Sequence, residues 1–239
     1  SVTYIYDIFS KKLTEVAPFT VDLLLPSGAE NLNYVLYTDE SPYKMQREWL
    51  DRLPFDIYSV NVHTGAKRLI GRSYRTAPKW SVNGKWAVMY DPIAQVWNKF
   101  DGATGKVVNI SDAIGYPMFM ESYDKPAPAP AYGIAGWTAD GNNVFLYDAY
   151  DWWKIDLTGE RQPECLTKGY GRKHGKSIRK MTSNIDKDVF QKDEKVIVSL
   201  WDKDTMDEGV YQLDMKGRLR KLMEGNYVYT IHRFSDNHE

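Results

Sequence analysis

Short, mostly apolar runs recur along the chain; each follows a turn that ends in glycine, and each ends near an aspartate. Three of the runs are Tyr34–Asp39, Trp86–Asp91 and Val144–Asp148. The glycines that precede them, Gly28, Gly84 and Gly141, stand 56 and 57 residues apart. Short apolar runs bounded by turn residues indicate β-strands, and self-similarity at a fixed spacing indicates a repeated structural unit.

A second pattern follows each run, in which two alternating stretches flank a glycine-containing turn. The first stretches of the four copies are Asp56–Val62, Gln95–Phe100, Asp151–Leu157 and Gly209–Asp214. The turns are Thr64-Gly65, Thr104-Gly105, Thr158-Gly159 and Lys216-Gly217. This pattern predicts β-hairpins, with glycine at the position where the turn needs a positive φ.

The repeated unit therefore has four antiparallel strands. One such sheet cannot bury both of its faces alone, so the pattern predicts sheets stacked face against face in a β-propeller. We expect a single domain over 1–239, an incomplete part of a larger propeller, with strands of further blades at 1–17 and 226–235. The predicted blades are 18–72, 73–115, 130–170 and 175–224. The residues that define the repeat are Gly28, Gly65, Trp80, Gly84, Gly105, Trp137, Gly141, Asp148, Gly159 and Gly217.

Two insertions interrupt the repeat. Within Lys44–Leu53, the residues Met45, Trp49 and Leu53 have helical spacing, which predicts either a helix packed on a blade edge or a lid or partner-binding helix. Alternating proline and alanine within 121–131 favours an extended polyproline conformation. We interpret this segment as a stiff connector between blades rather than a ligand for an SH3-like partner.

Composition supports β structure and excludes some functions. Aromatic residues make up 14% of the 239 residues, and aromatic side chains suit strands. The net charge of −1 argues against a nucleic-acid-binding protein, which would need a positive excess. No apolar run is long enough to span a membrane, and no signal peptide is predicted at the N-terminus. The compartment stays open, with a periplasmic or secreted location favoured over a cytoplasmic one.

The search for chemistry predicts no catalytic, cofactor-binding or metal-ligating residue. Ser73 and Ser177 lack the second glycine of the G-x-S-x-G nucleophile turn. The histidines lack metal-ligand spacing; they are His63, His174, His232 and His238. The loop 202–209 lacks the glycine and glutamate of a calcium loop, and Cys165 is interpreted as a small buried apolar residue.

One basic run has two interpretations: a site for an anionic ligand or a docking domain, or a solvated loop between blades. Its members are Lys168, Arg172, Lys173, Lys176, Arg179 and Lys180.

The proline-rich run that leads into Gly136-Trp137-Thr138, together with Leu146-Tyr147-Asp148 and Tyr150-Asp151, resembles a propeller segment of the prolyl oligopeptidase (S9) family of serine peptidases. It is most similar to the bacterial acylaminoacyl- and dipeptidyl-peptidase-like members. The Trp-Ser-x-Asn-Gly turn at 80–84 is common to TolB-like propellers. The resemblance covers about residues 20 to 224.

The resemblance implies a parent protein in which the propeller restricts peptide access to an α/β-hydrolase domain with a Ser-Asp-His triad. That domain is absent from this sequence, so no catalytic residue carries over and this chain is expected to be inert. The expected partners are that hydrolase domain, its peptide substrates and a second copy paired through exposed blade edges. Alternatives are a TolB-like interaction scaffold and a carbohydrate-active propeller with paired acids in a central pocket.

Overall fold

The computed structural model of this chain describes residues 2–18, 23–27, 33–50, 52–181, 188–225 and 228–229. Gly28, His232, His238 and most of the strand predicted at 226–235 lie outside these residues. The chain divides into two compact units. The first comprises Ser1–Asp112 and Pro126–Pro128, and the second comprises Ala113–Lys125 and Ala129–Glu239.

The first unit contains one two-stranded and two four-stranded antiparallel sheets. Their strand orders are β1-β2, β3-β4-β5-β6 and β7-β8-β9-β10. The strands are β1 (Thr3–Asp7), β2 (Lys12–Ala17), β3 (Leu23–Leu25), β4 (Tyr34–Asp39), β5 (Phe55–Asn61), β6 (Lys67–Tyr74), β7 (Lys79–Trp80), β8 (Trp86–Asp91), β9 (Val96–Asp101) and β10 (Val107–Asn109). Short 3₁₀ helices cover Ser41–Gln46 and Asp112–Ile114.

The second unit contains two further sheets, with strand orders β14-β13-β12-β11-β16 and β15-β17-β18-β19. The strands are β11 (Ile134–Thr138), β12 (Asn143–Tyr147), β13 (Trp152–Asp156), β14 (Glu164–Cys165), β15 (Lys176–Lys180), β16 (Val189–Phe190), β17 (Lys195–Asp202), β18 (Glu208–Asp214) and β19 (Leu219–Gly225). A five-residue helix, α1 (Tyr170–His174), precedes β15. Strand β16 pairs in parallel with β11, and the other pairs are antiparallel.

Both faces of the middle strands are covered in the first unit, because successive side chains of a strand point to opposite faces. On one face of β4, Val35 and Tyr37 pack with Val16 of the β1–β2 sheet. On the other face, Leu36 packs in a cluster with Phe100 of the next sheet. The three sheets of this unit are therefore stacked in sequence order by apolar contacts.

The same packing joins the two sheets of the second unit. Phe145 and Trp152, from β12 and β13, share one buried cluster with Ile178, Val198 and Leu213 of the following sheet. Each four-stranded meander thus lies face to face with the next sheet of its own unit. This is the architecture of β-propeller blades, and it confirms the predicted fold class.

The turn between the third and fourth strands is built in the same way in each blade. In the second blade, Oδ1 of Asp101 accepts hydrogen bonds from the backbone N–H groups of Ala103 and Thr104, at 2.8 and 3.0 Å. Gly105 closes this turn at φ 71°, and a Cβ there would lie 2.8 Å from the ring of Tyr34. Corresponding caps come from Asp7, Asn61, Asp156 and Asp214.

The structure differs from the conformation predicted for each of the two insertions. The 3₁₀ helix ends at Gln46, and the described residues between Arg47 and Leu53 are not helical. Met45 and Trp49 are 84% and 75% exposed, so of the predicted apolar stripe only Leu53 is buried.

The segment 121–131 is a loop rather than a stiff connector. The backbone N–H of Met120 donates to the carbonyl of Pro130 at 2.8 Å, and Phe119 forms an antiparallel bridge with Ala131. The chain therefore returns to the position from which it departed.

Candidate functional site

The four-residue connection between β12 and β13, residues 148–151, brings two carboxylates into the interior of the second unit. Asp148 and Asp151 stand at the two ends of this connection and are 0% and 1% exposed. A buried carboxylate is costly unless charged or polar partners surround it, so their contacts define what the site can do.

Asp148 has four hydrogen-bond donors on its two oxygens. Its Oδ1 accepts from the backbone N–H groups of Tyr150 and Asp151, at 2.7 and 2.6 Å. Its Oδ2 accepts from Nε1 of Trp153 at 3.0 Å and from Nη2 of Arg172 at 2.9 Å. The carboxylate therefore fixes its own loop, one indole and one guanidinium.

Asp151 holds the segment that leads into α1. Its Oδ1 accepts from the hydroxyl of Thr167 at 2.6 Å and from the backbone N–H of Gly171 at 2.9 Å. Its Oδ2 accepts from the backbone N–H of Arg172 at 3.0 Å. The carboxylate thus satisfies N–H groups at the start of the helix, which have no partner within it.

Arg179 is a partly buried guanidinium that binds carbonyl oxygens. Its Nη2 donates to the carbonyls of Asp148 and Ala149, at 2.7 and 3.2 Å, and its Nη1 donates to that of Ile178 at 2.8 Å. The guanidinium also lies 4.7 Å from the ring centroid of Tyr147, within cation–π range. Arg179 therefore joins β15 to the loop that carries the two carboxylates.

Arg172 forms the outer surface of this network. Its guanidinium lies 3.9 Å from the ring centroid of Tyr116 and 5.1 Å from that of Tyr150. Nζ of Lys203 lies 4.8 Å from the centroid of the Tyr150 ring. The side chain of Arg172 is 32% exposed, and Tyr116 is 45% exposed. We name these four residues, Tyr116, Tyr150, Arg172 and Lys203, the Arg172 surface.

The two arginines differ in their electrostatics. Burial alone lowers the pKa of Arg172, but its hydrogen bond to Asp148 and the charge of that carboxylate outweigh burial and raise the pKa. Desolvation lowers the pKa of Arg179, whose hydrogen bonds go to neutral carbonyls. Desolvation also raises the pKa of Tyr147 to about 12, so its hydroxyl stays protonated at neutral pH.

The first unit has a related pair at the corresponding strand ends. Asp39 pairs with Asp56 across β4 and β5, and Asp56 is 5% exposed. Asp56 accepts hydrogen bonds from the hydroxyl of Tyr43 and from the backbone N–H of Ser73. Buried aspartates at this end of a blade therefore hold loops in place, and the basic, aromatic surface is a feature that the second unit adds.

Of the residues that define the repeat, Asp148 is the one that belongs to this network. Trp80 donates from Nε1 to the carbonyl of Leu25 at 3.0 Å, and Trp137 is 5% exposed in β11. The turn glycines have positive φ values: Gly65, Gly84, Gly105, Gly141, Gly159 and Gly217. They shape hairpins rather than a binding site.

The basic run is neither a solvated loop nor a uniform anion-binding surface, because it forms α1 and β15 and three of its members are paired with carboxylates. The pairs are Arg172–Asp148, Lys176–Glu224 and Lys180–Asp188. Sequence reasoning missed these pairs, since the acids lie up to 48 residues away along the chain. The clustered Asp148 and Asp151 were a signal that could have indicated them.

The other candidates make ordinary structural contacts. Ser177 lies in β15, and its Oγ lies 3.4 Å from the carbonyl oxygen of Trp201, to which it donates. Cys165 is half-buried rather than fully buried, and burial raises the pKa of its thiol. His63 is exposed next to a groove of about 290 Å³ that Lys12 and Thr14 also line. Within the described part of the chain, no three His, Cys, Asp or Glu side chains are grouped as metal ligands.

Asp148 and Asp151 bind groups of the protein itself. All four oxygens of Asp148 and Asp151 accept hydrogen bonds from the protein. The two carboxylates are therefore engaged in holding the fold.

No helix among the described residues is both long and apolar enough to cross a bilayer.

Comparison with known proteins finds no matching family model and no matching curated sequence. Solved structures do match. TolB from Acinetobacter baumannii is 12% identical, with 94% of this chain and 48% of that chain covered and a TM-score of 0.38. An acylaminoacyl peptidase from Pyrococcus horikoshii is 13% identical, with 86% and 32% covered and a TM-score of 0.39. A quinonprotein alcohol dehydrogenase-like protein from Bacteroides thetaiotaomicron is 12% identical, with 91% and 50% covered and a TM-score of 0.40. This chain thus spans half or less of the length of each of these three proteins.

Proposed function

We propose that this chain is a non-catalytic propeller region of an S9-like serine peptidase. In this role it limits the size of peptides that reach an α/β-hydrolase domain of the same parent protein and supports that domain. The chemistry of bond cleavage belongs to the other domain, and the blades contribute shape and binding.

The observation that carries the proposal is where the resembling residues lie. The run that resembles S9 propellers continues through Trp137 and Tyr147 to Asp151, and these residues form β11, β12 and the connection to β13. The same connection carries Asp148 and Asp151, whose contacts fix Arg172. The most family-specific part of the sequence is therefore the part that builds the polar network of the second unit.

Two reactivity measurements test this proposal. This chain alone is treated with a fluorophosphonate probe, which labels activated serines, and we expect no labelled residue. The sequence of the gene beyond the codon for Glu239 is then determined. A G-x-S-x-G motif followed by Asp and His, with probe labelling of the longer protein at that serine, supports the proposal. Labelling within residues 1–239, or a stop codon after Glu239, contradicts it.

The second candidate is a TolB-like propeller that acts as a protein-interaction scaffold. The exposure of Met45 and Trp49 favours it, because exposed large apolar side chains are common in contact sites. A stop codon after Glu239 would support this candidate over the peptidase.

A further inference from the structure

We infer that the Arg172 surface binds the carboxylate of a peptide ligand. The inference goes beyond the proposed function, because it concerns a binding site within this chain and holds whether or not a hydrolase domain accompanies it. Four kinds of observation support it: the fixed position of Arg172, its spare hydrogen-bond donors, the second cation nearby and the flanking tyrosines.

Arg172 is held in place before any ligand arrives. The buried carboxylate of Asp148 accepts from its Nη2, and Asp151 accepts from its backbone N–H. Nε1 of Trp153 donates to the same oxygen of Asp148 and so fixes that oxygen's position. A guanidinium that is already oriented loses little conformational freedom when it binds, which favours affinity.

Arg172 still has donors to offer. Its Nε and Nη1 make no hydrogen bond to the residues that the structure describes, and its side chain is 32% exposed. The planar guanidinium matches the two oxygens of a carboxylate with two parallel hydrogen bonds. Asp148 accepts a hydrogen bond from one of the two N–H groups of Nη2. The second N–H of Nη2, together with the N–H of Nε or Nη1, forms the remaining edge at which a ligand carboxylate would bind.

Lys203 supplies a second positive charge to the same surface. Its ammonium and the Arg172 guanidinium are at most about 10 Å apart, since each lies against the ring of Tyr150. Lys203 forms no ion pair with any described residue. The network contains three cations, Arg172, Arg179 and Lys203, against the two carboxylates of Asp148 and Asp151, so one positive charge remains beside the Arg172 surface.

The tyrosines give the surface its preference for a peptide. The hydroxyls of Tyr116 and Tyr150 have no hydrogen-bond partner among the described residues, and Tyr116 is 45% exposed. Tyrosine offers a rigid apolar face together with a polar tip, which suits a main chain with small side chains. A carboxylate at Arg172 would place the preceding residues of the ligand along these rings.

Arg179, the neighbouring arginine of the basic run, is not the anion site. It is oriented into the protein, where three carbonyl oxygens accept from its Nη1 and Nη2. Lys176 and Lys180 are likewise paired, with Glu224 and Asp188. Within the basic run, Arg172 combines exposure, a fixed geometry and spare donors.

The test uses this chain and two synthetic peptides. N-acetyl-triglycine carries a free carboxylate, and its C-terminal amide is the matched neutral control. Nitrogen NMR follows the Arg172 Nε–H and Trp153 Nε1–H signals at about 50 mM salt, because a higher concentration would screen the charges. We expect saturable shifts of both signals with the carboxylate peptide and none with the amide. Equal shifts with both peptides would overturn the inference.

Three variants locate the site. K203M removes an exposed charge and should weaken binding of the carboxylate peptide by about 3- to 10-fold, whereas R172K, which loses the planar fork, should weaken it by about 10-fold or more. K79M, at an exposed strand lysine of the first unit, should bind the carboxylate peptide as tightly as the unsubstituted chain does. If R172K does not fold, K203M still decides. Unchanged affinity in K203M, or an equal loss in K79M, would show that the carboxylate binds elsewhere.

Discussion

Nη2 of Arg172 donates to Oδ2 of Asp148 at 2.9 Å, and 24 residues of chain separate the two groups. The carboxylate is buried and the guanidinium is partly exposed, so one ion pair connects the interior of the second unit to its surface. The acid belongs to the end of β12, and the base belongs to α1. Any change that releases one member therefore alters both the stability of the unit and the geometry of the Arg172 surface.

The first prediction concerns Asp148. D148N preserves size but places an amide NH₂ or a neutral oxygen where Arg172 and Trp153 need an anionic acceptor. We expect the free energy of unfolding to fall by about 2–3 kcal/mol, since hydrogen bonds to a buried charge are lost.

Urea unfolding measures the effect of D148N, with D188N as the matched control. Asp188 also pairs with a lysine, but its side chain is 56% exposed, so D188N should cost less than about 1 kcal/mol. Equal losses in the two variants would show that burial of Asp148 contributes nothing.

The strands were predictable from the sequence because their signals are local. The apolar run Trp86–Asp91 and the glycine at position 84 can be seen without knowledge of distant residues. The Asp or Asn that caps the turn after each third strand, such as Asp101 two residues before its first bonded N–H, was equally local and was missed.

The candidate site was not predictable, because its contacts join residues that are distant in the sequence. Arg172, Lys176 and Lys180 are adjacent in sequence and resemble a free basic patch. Their charges are balanced by acids that the sheet order brings in from elsewhere. The prediction of a helical stripe at Met45, Trp49 and Leu53 was wrong for a similar reason. Helical spacing alone does not ensure that a neighbouring surface covers the residues.

The second prediction concerns a close backbone approach beside the site. A Cβ on Gly171 would lie 2.6 Å from the carbonyl oxygen of Tyr150 and 2.7 Å from that of Lys176. G171A should therefore cost about 2 kcal/mol or more, because backbone atoms must move and the N–H bond to Asp151 is disturbed.

Gly175 provides the control for G171A. It ends the same helix at φ 66°, and a Cβ there has no atom within 4 Å. G175A carries the cost of the left-handed backbone alone, about 1 kcal/mol. Thermal unfolding of both variants compares the two costs, and a larger loss in G175A would contradict the close approach at Gly171.

The third prediction concerns pH. Hydrogen bonds from Lys176 and Lys221 lower the pKa of Glu224 from 4.5 to about 2 in the folded chain. Because the folded pKa lies below the unfolded value, this carboxylate contributes stability above about pH 4.5 and loses it as the pH falls toward 2.

Urea unfolding between pH 2 and 6 tests this pH dependence. E224Q should flatten the curve of unfolding free energy against pH below pH 4.5, relative to the unsubstituted chain. E164Q, at an exposed glutamate without an ion pair to any described residue, should leave the curve unchanged. An E224Q curve that parallels the parent's would refute the contribution of this carboxylate.

The fourth prediction compares two tryptophans that the structure places in opposite environments. Trp152 is 0% exposed and donates from Nε1 to the carbonyl of Ile178 at 3.1 Å, whereas Trp49 is 75% exposed. W152F should reduce the free energy of unfolding by about 2–4 kcal/mol, since it leaves a cavity and removes one of the two hydrogen bonds to the Ile178 carbonyl, which keeps the bond from Arg179. W49F should change it by less than about 0.5 kcal/mol, as expected of a surface position. Chemical denaturation measures both, and iodide quenching of tryptophan fluorescence should fall in W49F but not in W152F. An exposed indole has few contacts to lose. A substantial loss of stability in W49F would therefore contradict the exposure of Trp49 and favour the packed helix that the sequence pattern predicted.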